Sequence, residues 1–454
     1  MKVNRRFFLT VLAGLAASLS FQSCLFEQED LFEKSASARL AETLDKAQQV
    51  LTGAQNGWLM YYYPHEDQIY GGFSYIMKFG KEEVTVWGEK FEGAYTSLYK
   101  MTTDSGPVLS FDTSNYAFHY FASPSGSDGW GGNTYGESGK YQAYRADFEF
   151  VILSATPEEV LLKGKRSGCH IKMVPMVGDP VEYLDGVNTV HEQIFVSQFD
   201  GTIGGEELHV FLDLSNIQAT VELGGDKYAD LPESERIVKV AYQYTPTGIR
   251  FYKPVEVGPY TIETLDWDNA TRHLTSAALS ADLTGTLPDG WHSYEDFLGE
   301  WTLTYSNGSR EMTGITITEK EAGKTMLLSG FSEQFDILLT YNLGTGRAQL
   351  CSQIVGNDGT YNIRMAGWDS TAGYVTYNDT HGFFMTFGPP GEGAEDDAST
   401  IFFTDNRQWL SYTVRSLILY RFSGTTRIGS ALKPWFFRTG NHQLSTPSKL
   451  TRAK

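Results

Sequence analysis

The sequence predicts a mainly β protein, with two antiparallel barrel-like domains and a few short helices. Three observations predict it. Aromatic residues make up 14% of the 454-residue chain and glycine fills 46 positions, a balance that favours short strands joined by tight turns. From Trp58 onward, short runs alternate apolar and polar side chains, the period of a half-buried strand. Turn-forming clusters separate the runs, such as Gly80-Lys81, Asp104-Ser105-Gly106-Pro107 and Lys165-Arg166-Ser167-Gly168.

Residues 1–23 read as an export leader. Lys2, Arg5 and Arg6 give a positive start, and Phe7 to Leu19 is an apolar run too short to span a bilayer. Ser23 then precedes Cys24. The arrangement resembles the lipobox of bacterial lipoproteins, in which the cysteine thiol is acylated and the peptide is cut just before it. Phe21 stands where that pattern prefers Leu. Arg5-Arg6-Phe7-Phe8-Leu9 also resembles a twin-arginine signal, with Asn4 in the usual place of Ser or Thr; the general secretory route ranks ahead of it. A buried N-terminal helix is the alternative, and the abrupt acidic turn of Leu25 to Glu33 opposes it. Residues 24–36 form an acidic tether, and Leu25-Phe26-Glu27-Gln28-Glu29-Asp30 resembles the surface-export signal of Bacteroidota lipoproteins. The resemblance implies an outer-membrane protein anchored by lipid on Cys24 and facing the cell exterior. Acyl chains gain about 0.8 kcal/mol per buried CH₂, so several on one residue hold durably.

The formal net charge is −19, and loss of the three leader cations brings it to −22. Phosphates are repelled by such a body, which argues against a nucleic-acid partner. Of three cysteines, Cys24 is assigned to lipid; Cys169 and Cys351 fall in different domains and read as two small buried thiols.

Residues 37–290 form an N-terminal β-rich domain with flanking helices. Its first helix covers 37–55: Ser37 caps it, Leu40, Leu44, Ala47, Leu51 and Ala54 recur at helical spacing, and Asn56-Gly57 stops it. Strands follow from Trp58 to Val174 as a meander closing into a barrel or sandwich, since open edges invite pairing with other chains. One loop, Ser123 to Tyr144, breaks the rhythm. Its Trp130, Tyr135, Tyr141 and Tyr144 are the candidate ligand contacts, because aromatic faces stack on sugars and other flat apolar surfaces. The ordinary alternative is an insertion whose aromatics fold onto the barrel rim. Asp179-Pro180 starts a second helix, to about Gln198, and Tyr242 to Tyr252 reads as strand, tight turn, strand. Pro288-Asp289-Gly290 marks the domain boundary.

Residues 291–424 form a C-terminal barrel. Gly299-Glu300-Trp301 opens its first strand and resembles the first strand of lipocalin-like barrels. In that superfamily a basic residue of the closing strand covers the Trp face, which makes Trp301 and Arg421 the structural pair here. Residues 425–454, with six basic residues and no acidic one, read as a disordered basic tail or a partner-docking peptide.

No catalytic or metal motif survives inspection. His191-Glu192-Gln193-Ile194-Phe195 begins like a zinc-protease helix, but Phe195 stands where the second His must be. His65-Glu66-Asp67 reads as a solvated turn, and no cofactor is implied. The run from Asn56-Gly57-Trp58 through Tyr70-Gly71-Gly72-Phe73, Tyr95 to Tyr99, Gly106 to Asp112 and Asp147 to Phe150 resembles a Bacteroidota lipoprotein family, domain of unknown function 4302. Thr245 to Ile249 and Gly299-Glu300-Trp301 extend the similarity. The family carries no settled activity; its members resemble accessory lipoproteins beside SusC/SusD-type uptake systems. That kinship implies a non-catalytic surface protein binding a small molecule, glycan or peptide, with an outer-membrane transporter as partner. An extracellular polymer-degrading enzyme with an unrecognised carboxylate pair, or a scaffold docking onto the transporter, are the alternatives.

Overall fold

A computed structural model describes residues 35–104, 106–111, 113–123, 144, 146–388 and 398–453. The chain divides into two compact units: residues 1–190 with 216–218 and 241–252, and residues 191–215, 219–240 and 253–454. The protein is mainly β, built from closed or nearly closed antiparallel barrels with few short helices.

Helix α1 (Ala36–Gly53) starts where Ser35 accepts the Ala38 N–H, and its buried Ala47 and Leu51 face the first sheet. That sheet comprises β1 (Trp58–Tyr62), β2 (Phe73–Phe79), β3 (Glu83–Gly88), β4 (Tyr95–Leu98), β5 (Lys100–Thr102), β6 (Val108–Ser110), β7 (Glu149–Ala155), β8 (Val160–Gly164) and β9 (His170–Pro175). The order is β4-β3-β2-β1-β9-β8-β7-β6-β5. Only Tyr99 separates β4 from β5, so the two edges are one stretch of chain and the sheet wraps almost shut. The meander expected from the alternation is present. Its interior is packed rather than open: Trp58, Met60, Tyr62, Tyr75 and Met77 point inward. Helix α2 (Tyr116–His119) brings Phe118 to the Tyr62 ring at 5.6 Å, and the Tyr75 hydroxyl donates to the Ala117 carbonyl.

Helix α3 (Pro180–Gln193) begins where Asp179 accepts the Val181 and Glu182 N–H groups at 2.8 and 3.2 Å. It stops five residues before the expected end, because the chain re-enters a strand at Gln198. The next sheet runs β10 (Gln198–Ile203), β11 (Glu206–Asp213), β12 (Gln218–Leu223), β13 (Ile237–Thr245), β14 (Gly248–Val257), β15 (Tyr260–Asp268), β16 (His273–Ser276) and β17 (Ala281–Gly285), with α4 (Glu233–Arg236) between β12 and β13. β10 pairs β17 and closes it into a second barrel. Thr245 pairs Gly248 across a two-residue turn, the tight hairpin the sequence implies.

The C-terminal strands are β18 (Gly299–Tyr305), β19 (Arg310–Glu321), β20 (Thr325–Ser329), β21 (Ile337–Asn342), β22 (Arg347–Cys351), β23 (Gln353–Asn357), β24 (Asn362–Asp369), β25 (Tyr374–Thr376), β26 (Gly382–Phe387), β27 (Thr400–Asp405), β28 (Ser416–Ser423), β29 (Thr426–Ser430), β30 (Gln443–Leu444) and β31 (Lys449–Arg452). β18 to β22 with β26, β27 and β31 form a closed barrel; β23, β24, β25, β28, β29 and β30 form a six-stranded sheet.

Two expectations are corrected here. The segment from Thr425 is not a disordered tail: Phe437, Leu444 and Leu450 are buried, and β31 pairs β18 on one side and β27 on the other. Arg421 does not cover Trp301. It lies on β28 in the six-stranded sheet, over the Tyr361 ring at 5.5 Å, because β28 is not the closing strand. Arg452 of β31 takes that place, 4.5 Å above the fully buried Trp301 ring. Its guanidinium donates to the carbonyls of Asp296 (2.6 Å) and Leu298 (3.2 Å), at the end of helix α5 (Tyr294–Phe297). A Cβ on Gly299 would sit 3.0 Å from that guanidinium, and φ there is +130°, so the Gly of Gly-x-Trp makes room for the arginine. The Trp301 indole donates to Phe297, which fixes the strand entry.

Candidate functional site

The site lies on the outer face of the first unit's sheet. Along β2, Phe73, Tyr75 and Met77 face inward, so Ser74 and Ile76 face outward beside Leu59 and Tyr61 of β1 and Trp87 of β3, with Tyr63 just past the end of β1. β3 ends at Gly88, and Glu89 continues its outward side. Glu89 occupies both backbone groups of Ser74: its N–H donates to the Ser74 carbonyl (3.2 Å), and its carboxylate accepts the Ser74 N–H (2.7 Å). Glu89 is 8% exposed.

Two elements cover this face. Helix α3 supplies Tyr183 and Leu184, the latter packed with Leu59, Ile76 and Met176. The β13–β14 hairpin supplies Arg250, 4.7 Å above the Tyr61 ring, and Tyr252, edge-on to Tyr63 at 4.6 Å. The Gln243 side chain donates to the Ser74 hydroxyl at 3.4 Å, and its buried carbonyl oxygen has no hydrogen-bond partner among the described residues. Gly72 donates to the Tyr242 carbonyl, and a Cβ on Gly72 would strike the Tyr63 ring at 2.6 Å, so only glycine lets the hairpin settle there.

The electrostatics follow from burial. Burial pushes the Glu89 carboxyl up to about 7, against the Ser74 amide bond and the Lys90 charge, which pull it down. Burial likewise raises the Tyr63 and Tyr183 hydroxyls, against the lowering pull of the Arg250 charge. Near neutral pH Glu89 therefore exchanges its proton. It also lines a cleft of about 360 Å³ between the Trp87–Gly93 loop and α3. Trp87 and Phe91 give the cleft ring walls; Glu89, Glu92 and Asp185 give it acceptors, and Lys90 one ammonium. That size and mixture suit a small ligand bearing hydroxyl or ammonium donors.

A second cleft, about 470 Å³, lies against β11 and β12 and is lined by Glu207, His209, Glu222, Asp226 and Arg236. Its charges are largely paired to each other. His209 bonds Asp200 at 2.6 Å and Glu207 at 3.1 Å, and Arg236 bonds Glu222. It is a solvated charge network, and the first cleft, with its buried carboxyl, is the stronger candidate. Among the described residues no group of three His, Cys, Asp or Glu side chains is placed to hold a metal ion, and no helix is long and apolar enough to cross a membrane.

Cys24, Trp130, Tyr135 and Tyr141 lie outside the described residues. Tyr144 is half-buried, edge-on to Tyr70 at 4.5 Å and to Phe121 at 5.2 Å, which is the rim-packing alternative for that ring. His65 is not solvated: it is buried, accepts the Asp67 N–H at 3.1 Å, and its carbonyl accepts the Cys169 thiol. Cys169 and Cys351 are free thiols; Cys169 is buried and Cys351 half-buried. Sequence reading missed Glu89. The available signal was an acid placed two positions after Trp87 on the same strand face.

A family model described as Domain of unknown function (DUF4302) matches residues 28–269, and a second, also a domain of unknown function (DUF4987), matches residues 276–419. The Gly299-Glu300-Trp301 stretch thus falls in the second match and not in the first. No curated protein and no solved structure matches the chain.

Proposed function

Because the chain belongs to the DUF4302 family, whose model spans more than half of it, we propose that it is a lipid-anchored, non-catalytic ligand-binding protein of a bacterial cell surface. In this reading the leader is cut before Cys24, the acylated thiol holds the protein in the outer membrane, and the acidic tether displays it to the exterior. It serves a SusC/SusD-type nutrient uptake system of Bacteroidota as an accessory, passing ligand to an outer-membrane transporter. The observation that carries the binding role is the cleft beside Glu89, with ring walls and converging acceptors. Its acids favour a ligand with hydroxyl or ammonium donors, such as a sugar or a peptide amine.

The test is retention without turnover. The mature chain is titrated calorimetrically with neutral oligosaccharides and short peptides, and the products are assayed. Trp87→Ala and E89Q should weaken whichever ligand binds. Unchanged affinity in both variants moves the site elsewhere. Mass spectrometry of membrane-extracted protein should find acyl chains on Cys24 and no leader; an unmodified thiol there removes the anchor from the reading.

One observation favours a second reading. A carboxyl titrating near 7 in a cleft is suited to general acid–base work, as a hydrolase of extracellular polymer requires. Turnover of a bound polymer that is abolished in E89Q would establish that reading in place of the first.

A further inference from the structure

The connection between β27 and β28 displays an aromatic shelf that the Glu89 cleft does not use. Trp409 and Tyr412 stand on this loop, and Tyr374 meets them from the start of β25. The Tyr412 ring lies 4.4 Å from Tyr374 at a 31° tilt and 4.9 Å from Trp409. His381 stacks parallel behind Trp409 and is held through Thr376 at 2.6 Å. Tyr374 is 54% exposed, while Trp409 and Tyr412 are half-buried behind it.

The loop is clamped by buried polar groups. Asp369, 5% exposed, accepts the Thr371, Ala372 and Thr413 N–H groups. Asn406, 2% exposed, accepts Gly382 N–H and donates to the Thr380 carbonyl. Asp405 accepts Val414 N–H at 2.9 Å. Rings fixed in this way lose little further freedom on binding, which lowers the entropic cost of a weak stacking ligand. The fringe is polar: Arg407, Gln408 and Ser411 are exposed around the rings.

We propose that this cluster is a carbohydrate-binding site, in which a pyranose ring of a neutral glycan lays its C–H face on the exposed Tyr374 ring, which Tyr412 and Trp409 back. Hydroxyls at the ring edges meet the polar fringe. An exposed ring with a hydrogen-bonding border matches a polyol with one apolar face better than it matches a wholly apolar partner. Leu410, 95% exposed at the loop apex, makes insertion into a lipid surface the competing occupant.

Affinity electrophoresis of the mature chain decides between them, in gels containing soluble starch, xylan, β-glucan, galactomannan or dextran. At least one polysaccharide should retard the wild type. Trp409→Ala and Tyr374→Ala should each weaken that retardation about tenfold, a ring's worth of stacking. Tyr374→Phe should keep it. Circular dichroism checks the folding of each variant; Tyr374, being exposed, is the safest to replace. The proposal is overturned if none of the five polysaccharides retards the protein, or if both Ala variants migrate like wild type. It is equally overturned if Trp409→Ala and Leu410→Ser abolish sedimentation with phosphatidylethanolamine–phosphatidylglycerol vesicles while glycan retardation is unchanged.

Discussion

Replacing Glu89 by Gln removes a titration and keeps an oxygen that accepts the Ser74 N–H. In the folded protein the carboxyl titrates near 7, whereas the unfolded chain returns it to about 4.5. The folded state therefore holds the proton more tightly. Stability from this group is complete below about pH 4.5, falls as pH rises toward 7, and is constant above. Each pKa unit corresponds to about 1.4 kcal/mol, so wild type should lose about 2–3 kcal/mol between pH 5 and pH 8 through Glu89 alone. With 8% exposure, solvent screening takes little from that figure. The assay is urea unfolding of wild type and E89Q across that pH range, followed by tryptophan fluorescence. Taking the difference between the two proteins cancels the other titrating groups. The variant should gain on wild type by about 2–3 kcal/mol from acid to alkaline pH. A difference that stays flat refutes the reasoning, because Glu89 would then titrate alike in both states.

Arg452→Met should destabilise the C-terminal barrel by about 2 kcal/mol in urea unfolding, from lost carbonyl bonds and ring contact. Arg421→Met, away from Trp301, should cost less. Truncation after Gly424 should abolish cooperative unfolding of that barrel and raise binding of a hydrophobic dye, because β31 is lost. Asp200 raises the His209 pKa above its ordinary 6.5, chiefly by the hydrogen bond between them. That pair contributes below pH 6.5 and fades as pH rises through the raised value; Asp200→Asn should return His209 toward its ordinary value, read by proton NMR of the imidazole.

Strand content was readable in the sequence because local alternation encodes it. Trp58-Leu59-Met60-Tyr61-Tyr62 and Gly299 to Tyr305 are strands, and the stripe Leu40, Leu44, Ala47, Leu51 is a helix. Partners were harder. Arg421 and Arg452 both follow apolar alternation, and only register across distant strands decides which one reaches Trp301. The region expected to form one N-terminal domain holds two barrels, because alternation does not say where a sheet closes. The Glu89 cluster was illegible for the same reason. Ser74, Glu89, Tyr183, Gln243 and Arg250 come from four separate stretches, and burial by α3 and the hairpin gives Glu89 its chemistry.

The strand that seals the third barrel, β31, lies about 150 residues along the chain from its partner β18. Thr302 must wait for Thr451 before β18 gains its second neighbour. The second barrel differs: its neighbours follow one another in the chain, so it can shut as it emerges. Until β31 arrives, then, β18 and β27 present raw edges that can template pairing with another chain. Docking of β31 covers both edges in a single step.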